Sequence, residues 1–143
     1  NLDNLKVIHL KRNNILRALV SQKIAFKTDV WKEVGPKDES RADDRKVRLS
    51  KEECEAFFEK TRAWETDGDR MFCDKALLQI SYEELANDYQ DQMQRVLAFL
   101  DVSPVEMQPQ TRRQNPESLR ELITNYDQLK ESFAGSSWQE FFR

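Results

Sequence analysis

The sequence contains 143 residues with a formal net charge of -3, and 38% of the residues are hydrophobic. This length suits one domain, and the sequence contains neither an apolar run long enough to span a membrane nor a signal-peptide pattern. The two cysteines, Cys54 and Cys73, are too few for a disulfide scaffold and fit no metal-ligand spacing. We therefore expect reduced thiols, a cytoplasmic location and no bound metal.

Positive charge is concentrated near the beginning of the sequence. Residues 1–32 contain seven Lys or Arg and two Asp or Glu, a balance of +5, whereas the remaining residues carry -8. A nucleic-acid-binding protein spreads its basic residues over a long face. The concentrated charge instead predicts a small anionic ligand and argues against nucleic acid.

Residues 7–22, VIHLKRNNILRALVSQ, connect a strand pattern to a helix pattern. Leu5 to Leu10 form a largely apolar run, interrupted by Lys6 and His9, which is typical of a strand buried on both faces of a parallel sheet. Asn13 or Asn14 can cap a helix that continues to about Lys27. The predicted apolar face of this helix comprises Ile15, Leu19, Val20, Ile24 and Phe26.

The opposite face of this helix is polar and contains Asn14, Arg17 and Ser21. Lys11 and Arg12 directly precede the helix, although its macrodipole disfavours cations at the N-terminus unless an anion binds among them. The stretch therefore predicts an anion-binding site.

The middle of the chain contains a loop pattern followed by a helix pattern. Residues 33–49 are polar, contain Gly and Pro and show no period, so they predict a loop. Ser50 and Glu53 form a capping-box pattern that begins a helix over about 51–65. The stretch ETDGDR, residues 65–70, predicts a turn, because it lacks the later ligands of a calcium loop.

The later elements repeat the strand-to-helix order. Leu77 to Tyr82 predict a second strand, and residues 88–100 predict a helix. Glu83 and Glu84 are expected to stabilise a helix N-terminus. Asn115 and Pro116 begin a further helix, and the stretch SSWQEFF docks its aromatic residues at the end of the chain. These patterns predict an α/β fold with a parallel sheet flanked by helices.

Three stretches carry the candidate chemistry: KRNN with Ser21, SYEEL, and TRRQ. Open α/β sheets bind ligands at the carboxyl ends of their strands, where the first two stretches lie. Arg12 can bind a phosphate through bidentate hydrogen bonds from its guanidinium, and Ser21 can supply a neutral hydrogen-bond donor. Arg112 or Arg113 can approach the same anion from the other side, and Tyr82 offers a nucleotide its ring or its hydroxyl.

In this order, the stretches resemble the C-terminal half of the PAPS-dependent sulfotransferases. The likeness is strongest to bacterial carbohydrate-type and lipopolysaccharide-type members, in which a strand ends in a stretch like LKRxNxLRxxxSxxIA. It continues through ISYEEL, VLAFLDV and RRQNPESLRELITNYDQLK and covers nearly the whole chain outside residues 33–49. The resemblance implies a nucleotide-kinase-like fold and transfer of a sulfuryl group from 3′-phosphoadenosine-5′-phosphosulfate (PAPS) to a hydroxyl, on a carbohydrate or glycolipid, without a metal.

The resemblance also implies roles for individual residues. In the family, an arginine and a serine in the positions of Arg12 and Ser21 hold the 3′-phosphate of the donor. Tyr82 matches a position near the adenosine, and Arg112 and Arg113 match a basic loop that contributes to donor binding. His9, the only histidine, lies within the strand pattern and is expected to be a strand residue satisfied by a partner rather than a general base.

The family also has a Gly-rich 5′-phosphosulfate loop, which this sequence lacks. Its three glycines, Gly35, Gly68 and Gly135, build no such loop. We therefore expect residues 1–143 to be the C-terminal part of a single sulfotransferase domain, with that loop, a further strand and the catalytic residues upstream of Asn1. The variable residues 33–49 are expected to influence acceptor choice.

Two alternatives stay open on the sequence alone. A nucleotide or small-molecule kinase of the same fold would require a P-loop lysine and magnesium-binding residues upstream. A non-enzymatic helical interaction module would use the basic junction to dock an acidic partner. Whether the chain forms a homodimer is also left open.

Overall fold

A computed structural model describes residues 4–31, 45–109 and 115–143 of the chain. Its elements follow in the order β1 (Lys6–Lys11), α1 (Ile15–Thr28), α2 (Lys51–Met71), β2 (Ala76–Ser81), α3 (Tyr82–Asn87), α4 (Tyr89–Phe99), α5 (Leu119–Leu122), α6 (Tyr126–Ser132) and a 3₁₀ helix (Gln139–Phe142). They form two compact units, of which the first comprises Asn1–Asn13 and Thr61–Gln110 and the second Asn14–Lys60 and Thr111–Arg143.

The sheet of the first unit confirms the predicted α/β class. β1 and β2 pair in parallel, from Lys6 opposite Ala76 to Lys11 opposite Ser81. Each strand lies within one residue of its predicted position, and helices follow both strands. Because the strands are parallel and in register, their carboxyl ends lie side by side.

The prediction that β1 is buried on both faces is wrong for the described structure. Side chains alternate between the two faces of a strand, so Ile8 and Leu10 share one face and His9 and Lys11 the other. Ile8 is 41% exposed and Leu10 is 53% exposed. The face of His9 and Lys11 instead contacts Asp69 of α2. Burial of β1 is therefore one-sided among the described residues.

Helix α1 begins at the predicted cap. Asn14 is extended, with φ of -102°, and its side-chain oxygen accepts a hydrogen bond from the Arg17 N–H. Phe26 was predicted on the buried face but is 67% exposed. It lies in the last turn of α1, where its ring packs edge-on against Trp31 at 4.9 Å between centroids. The buried residues of α1 are Ile15, Leu16, Leu19, Val20, Ile24 and Ala25.

Helix α2 is longer than predicted and has no turn at residues 65–70. It continues through Gly68 to Met71. A Cβ atom at Gly68 would lie 3.3 Å from Cε1 of His9, so this glycine allows the helix to approach β1 closely. Asp69, in the next position, hydrogen-bonds to two side chains of β1. Tertiary contacts therefore override the weak local helix propensity of this stretch.

The second unit contains the aromatic core predicted for the end of the chain. Phe58 of α2 is fully buried, and its ring centroid lies 5.9 Å from Phe133, 5.4 Å from Trp138 and 5.0 Å from Phe141. Hydrophobic burial and tilted ring packing stabilise this cluster. The predicted docking of the C-terminal aromatic residues is confirmed.

The end of the predicted loop 33–49 belongs to this core. The Val47 N–H donates to the Leu122 carbonyl at 2.8 Å, and the Val47 carbonyl accepts from the Thr124 N–H at 2.9 Å. Leu49 is only 2% exposed. A purely polar loop is therefore the wrong prediction for these last residues, because long-range backbone pairing determines their burial. Residues 32–44 lie outside the described part of the chain.

The remaining helices differ from their predicted bounds mainly at the starts. The helix expected over 88–100 is confirmed as α4, and the short helix α3 precedes it. Helix α5 begins after Ser118 rather than at Asn115 and Pro116, because Ser118 and Glu121 form a capping box.

Both cysteines are free thiols, as expected. Cys54 is buried in the second unit, and desolvation, together with neighbouring carboxylates, raises the pKa of its thiol to about 12. Cys73 is exposed. None of the helices described is both long and apolar enough to cross a membrane.

Candidate anion-binding site

The carboxyl ends of β1 and β2 bring Arg12 and Tyr82 together. Lys11 pairs with Ser81 at the ends of the two strands. The residues that follow them, Arg12 and Tyr82, therefore lie next to each other. The guanidinium carbon of Arg12 lies 3.5 Å from the centroid of the Tyr82 ring, which is a close cation–π contact. The structure thus places together two residues that the sequence predicted at one edge of the sheet.

Glu83 contacts the same junction from α3. Its Oε1 atom lies 3.8 Å from Nη1 of Arg12, and its Oε2 atom accepts a hydrogen bond from the Asn13 N–H at 3.0 Å. We refer to Arg12, Asn13, Tyr82 and Glu83 as the strand-end cluster. The contacts of Glu83 with Arg12 and Asn13 were missed by sequence reasoning, which assigned Glu83 only to a helix N-terminus.

Glu84 has the helix role that the sequence predicted. Its carboxylate accepts hydrogen bonds from the Ser81 N–H at 2.9 Å and the Ser81 hydroxyl at 2.8 Å. The Ser81 oxygen in turn accepts from the Glu84 N–H at 3.1 Å, which completes a capping box. These bonds, chiefly that from the Ser81 backbone, lower the pKa of Glu84. They fix the start of α3 and therefore the position of Tyr82.

The strand-end cluster can bind an anion. The Arg12 side chain is 26% exposed, so solvent and a ligand can reach it. Arginine stays protonated at every relevant pH and matches the oxygens of a phosphate with a planar fork of N–H donors.

Of the other predicted site residues, the structure describes Ser21, which belongs to the second unit. Ser21 is half-buried on α1, and its role in phosphate binding stays a prediction. Arg17, one turn earlier, donates to the carbonyl oxygens of Asn115 and Glu117, both at 3.0 Å. The polar side of α1 therefore holds the chain at residues 115–117. Arg112 and Arg113 lie outside the described residues.

His9 belongs to a separate cluster around Asp69 in the first unit. Its Nδ1 atom lies 2.9 Å from Oδ1 of Asp69, which confirms a strand histidine with a partner. The Lys11 ammonium donates to Oδ2 of Asp69 at 2.5 Å, and the Gln79 amide donates to Oδ1 at 3.0 Å. The hydrogen bond from Lys11, followed by that from His9, lowers the pKa of Asp69. No group of three or more His, Cys, Asp or Glu suited to a metal ion occurs within the described residues.

We expect Asp69→Asn to lower the thermal stability at pH 7 and to flatten its dependence on pH. Because the pKa of Asp69 is lower in the folded than in the unfolded protein, its stabilisation is present above the unfolded pKa, about 3.9. It is lost as the pH falls through the folded pKa. Thermal unfolding between pH 7 and pH 3 measures this effect. The exposed Asp74→Asn is the control, and an unchanged slope for Asp69→Asn would contradict the prediction.

The strand-end cluster lies at the carboxyl edge of the parallel sheet in an α/β fold. The chain belongs to the sulfotransferase domain family, whose model matches residues 1–143. This confirms the family that the sequence motifs resemble.

Two relatives are also similar to this chain over nearly its whole length. Nodulation protein H of Rhizobium tropici is 32% identical over 142 residues, which cover 96% of this chain and 55% of that protein. Nodulation protein H of Rhizobium meliloti is 29% identical over 140 residues, which cover 96% of this chain and 56% of that protein. The chain thus spans about half the length of these relatives. No solved structure matches the chain.

Proposed function

We propose that the protein transfers a sulfuryl group from PAPS to a hydroxyl acceptor and that this chain binds the 3′-phosphate end of the donor. Membership in the sulfotransferase domain family supports the reaction class. The position of Arg12, at the carboxyl end of β1 and over the ring of Tyr82, is the observation that supports the assignment of the site. This is the edge of a parallel sheet at which α/β proteins bind nucleotides.

Each site residue has a distinct proposed task. Arg12 binds two oxygens of the 3′-phosphate through its guanidinium fork. Ser21 donates a neutral hydrogen bond from its hydroxyl to the same group. Arg112 and Arg113 contact the donor from a second side.

The reaction is an in-line displacement at sulfur. The acceptor oxygen forms a bond to sulfur as the bond from sulfur to the 5′-phosphate oxygen breaks, and the hydroxyl proton leaves to a base. Adenosine 3′,5′-bisphosphate departs. Positioning and charge stabilisation dominate, by analogy with phosphoryl transfer. The 3′-phosphate lies away from the reacting sulfur, so binding energy from this chain contributes to orientation of the donor.

We propose a carbohydrate or a glycolipid as the acceptor. The support is the similarity of the Arg12 to Ser21 stretch, and of the ISYEEL stretch, to carbohydrate-type and lipopolysaccharide-type sulfotransferases. Acceptor hydroxyls of this kind are weakly acidic, so their transfer reactions depend strongly on correct orientation.

The test uses the full-length protein and two nucleotides. Calorimetric titration is expected to show tighter binding of adenosine 3′,5′-bisphosphate than of AMP, which lacks the 3′-phosphate. Incubation with ³⁵S-labelled PAPS and a panel of oligosaccharides and glycolipids is expected to label an acceptor. Equal affinities for the two nucleotides would refute the proposal, and phosphoryl transfer from ATP would favour a kinase instead.

A further inference from the structure

We propose that Tyr82 is a positioning residue that acts through Arg12. Its ring holds the guanidinium in the position from which Arg12 binds the 3′-phosphate. This inference rests on the proposed function. It assigns Tyr82 a task in addition to the adenosine contact that the family resemblance implies.

The guanidinium of Arg12 lies directly over the ring of Tyr82. At 3.5 Å, the guanidinium carbon lies at van der Waals distance from the centre of the Tyr82 ring. The ring face that Arg12 covers is closed to an adenine base. A cation above an aromatic ring is attracted by the negative face of the π system, so the contact stabilises the guanidinium in this position.

Glu83 restrains the same guanidinium at one edge. The carboxylate lies 3.8 Å from Nη1 of Arg12 and accepts a hydrogen bond from the Asn13 N–H, the residue that follows Arg12 in the chain. Arg12 is thus contacted on a face by Tyr82 and at an edge by Glu83. A long side chain that is ordered before the ligand arrives loses less conformational entropy on binding.

Tyr82 itself is rigidly placed. It is the first residue of α3, and the capping box of Ser81 and Glu84 fixes the start of that helix. Ser81 is also the last residue of β2, opposite Lys11 of β1. The sheet register therefore determines the distance between the ring and Arg12.

The test compares Tyr82→Leu and Tyr82→Phe with wild type in the full-length protein. Leucine removes the aromatic face, so we expect it to weaken binding of adenosine 3′,5′-bisphosphate by about threefold to tenfold more than it weakens binding of AMP. Phenylalanine retains the face, so we expect it to restore the bisphosphate affinity to about the wild-type value. Tyr89→Leu, in the same unit, is the matched control. Calorimetric titrations measure the affinities, and circular dichroism monitors folding.

A role in adenosine binding alone predicts a different pattern. Loss of an adenosine contact would weaken both nucleotides by the same factor, since both contain adenosine, and that result would overturn the inference. A double-mutant cycle supplies the second criterion. In the Arg12→Ala background, Tyr82→Leu is expected to weaken the bisphosphate no more than it weakens AMP. An undiminished effect in that background would equally overturn the inference.

These outcomes separate this inference from the proposed function. If the wild-type protein prefers the bisphosphate to AMP but Tyr82→Leu weakens both equally, the inference fails and the proposed function stands. If the wild-type protein shows no preference, the proposed function fails and the inference fails with it.

Discussion

Phe58→Ala is expected to lower the free energy of unfolding by about 3–5 kcal/mol, the usual cost of truncating a buried phenylalanine. The side chain is 0% exposed, and its ring packs against Phe133, Trp138 and Phe141. Removal of the ring leaves a cavity among side chains from α2 and the C-terminal segment, and the neighbouring rings can fill it only in part. This loss is a large fraction of the stability of a typical domain.

Urea denaturation followed by circular dichroism measures this change. Phe26→Ala is the matched control, because Phe26 lies in the same unit but is 67% exposed, and we expect a loss of less than about 1 kcal/mol. If Phe58→Ala proves too unstable to purify, Phe58→Leu supplies the measurement, with an expected loss of about 1–2 kcal/mol. A loss for Phe58→Ala as small as that for Phe26→Ala would show that the ring cluster is not a stabilising core.

Much of the fold could be predicted because its signals are local. The apolar runs before Lys11 and before Ser81 indicated two strands, and the Asn14 cap indicated where α1 begins. The repeated order of strand and helix pointed to a parallel sheet, in which the carboxyl ends of both strands lie at one edge. These signals depend on residues a few positions apart, which one sequence contains in full.

The errors concern features that long-range contacts determine. A glycine inside ETDGDR predicts a break, but Gly68 is where α2 approaches His9 of β1. Val47 and Leu49 end a polar stretch, yet Val47 pairs with the chain around Ile123. The burial of Leu10 was also overestimated from its hydrophobic character. The sequence pattern of a strand does not show which of its two faces is covered by other elements.

The candidate site also combines features that the sequence predicts with features that depend on long-range contacts. Arg12 and Tyr82 were predicted from residue type and from their positions after the strands. The contact between Glu83 and the Asn13 N–H joins residues 70 positions apart, and it follows only from the register of β1 and β2. The donor-binding roles of all five residues stay predictions, namely those of Arg12, Ser21, Tyr82, Arg112 and Arg113.

Arg12→Ala is expected to weaken binding of adenosine 3′,5′-bisphosphate by about tenfold to a hundredfold, while the affinity for AMP changes little. A hydrogen bond to a charged group contributes about 1.5–3 kcal/mol, and each 1.4 kcal/mol is a tenfold change in affinity. The effect is selective because the proposed partner of Arg12 is the 3′-phosphate, which AMP lacks. Ser21→Ala should cost less, about 1 kcal/mol, since it removes a neutral donor.

Charge-matched variants distinguish a phosphate ligand from a surface cation. Arg70→Ala removes one positive charge from the same unit, where Arg70 is 76% exposed beside Asp67, and it should weaken both nucleotides slightly and equally. Arg12→Lys keeps the charge but lacks the planar fork, so we expect an affinity for the bisphosphate between those of wild type and Arg12→Ala. Calorimetric titration of both nucleotides into all four proteins measures these differences. If Arg12→Ala behaved like Arg70→Ala, Arg12 would be an ordinary surface cation, and the anion site at the end of β1 would have to be abandoned.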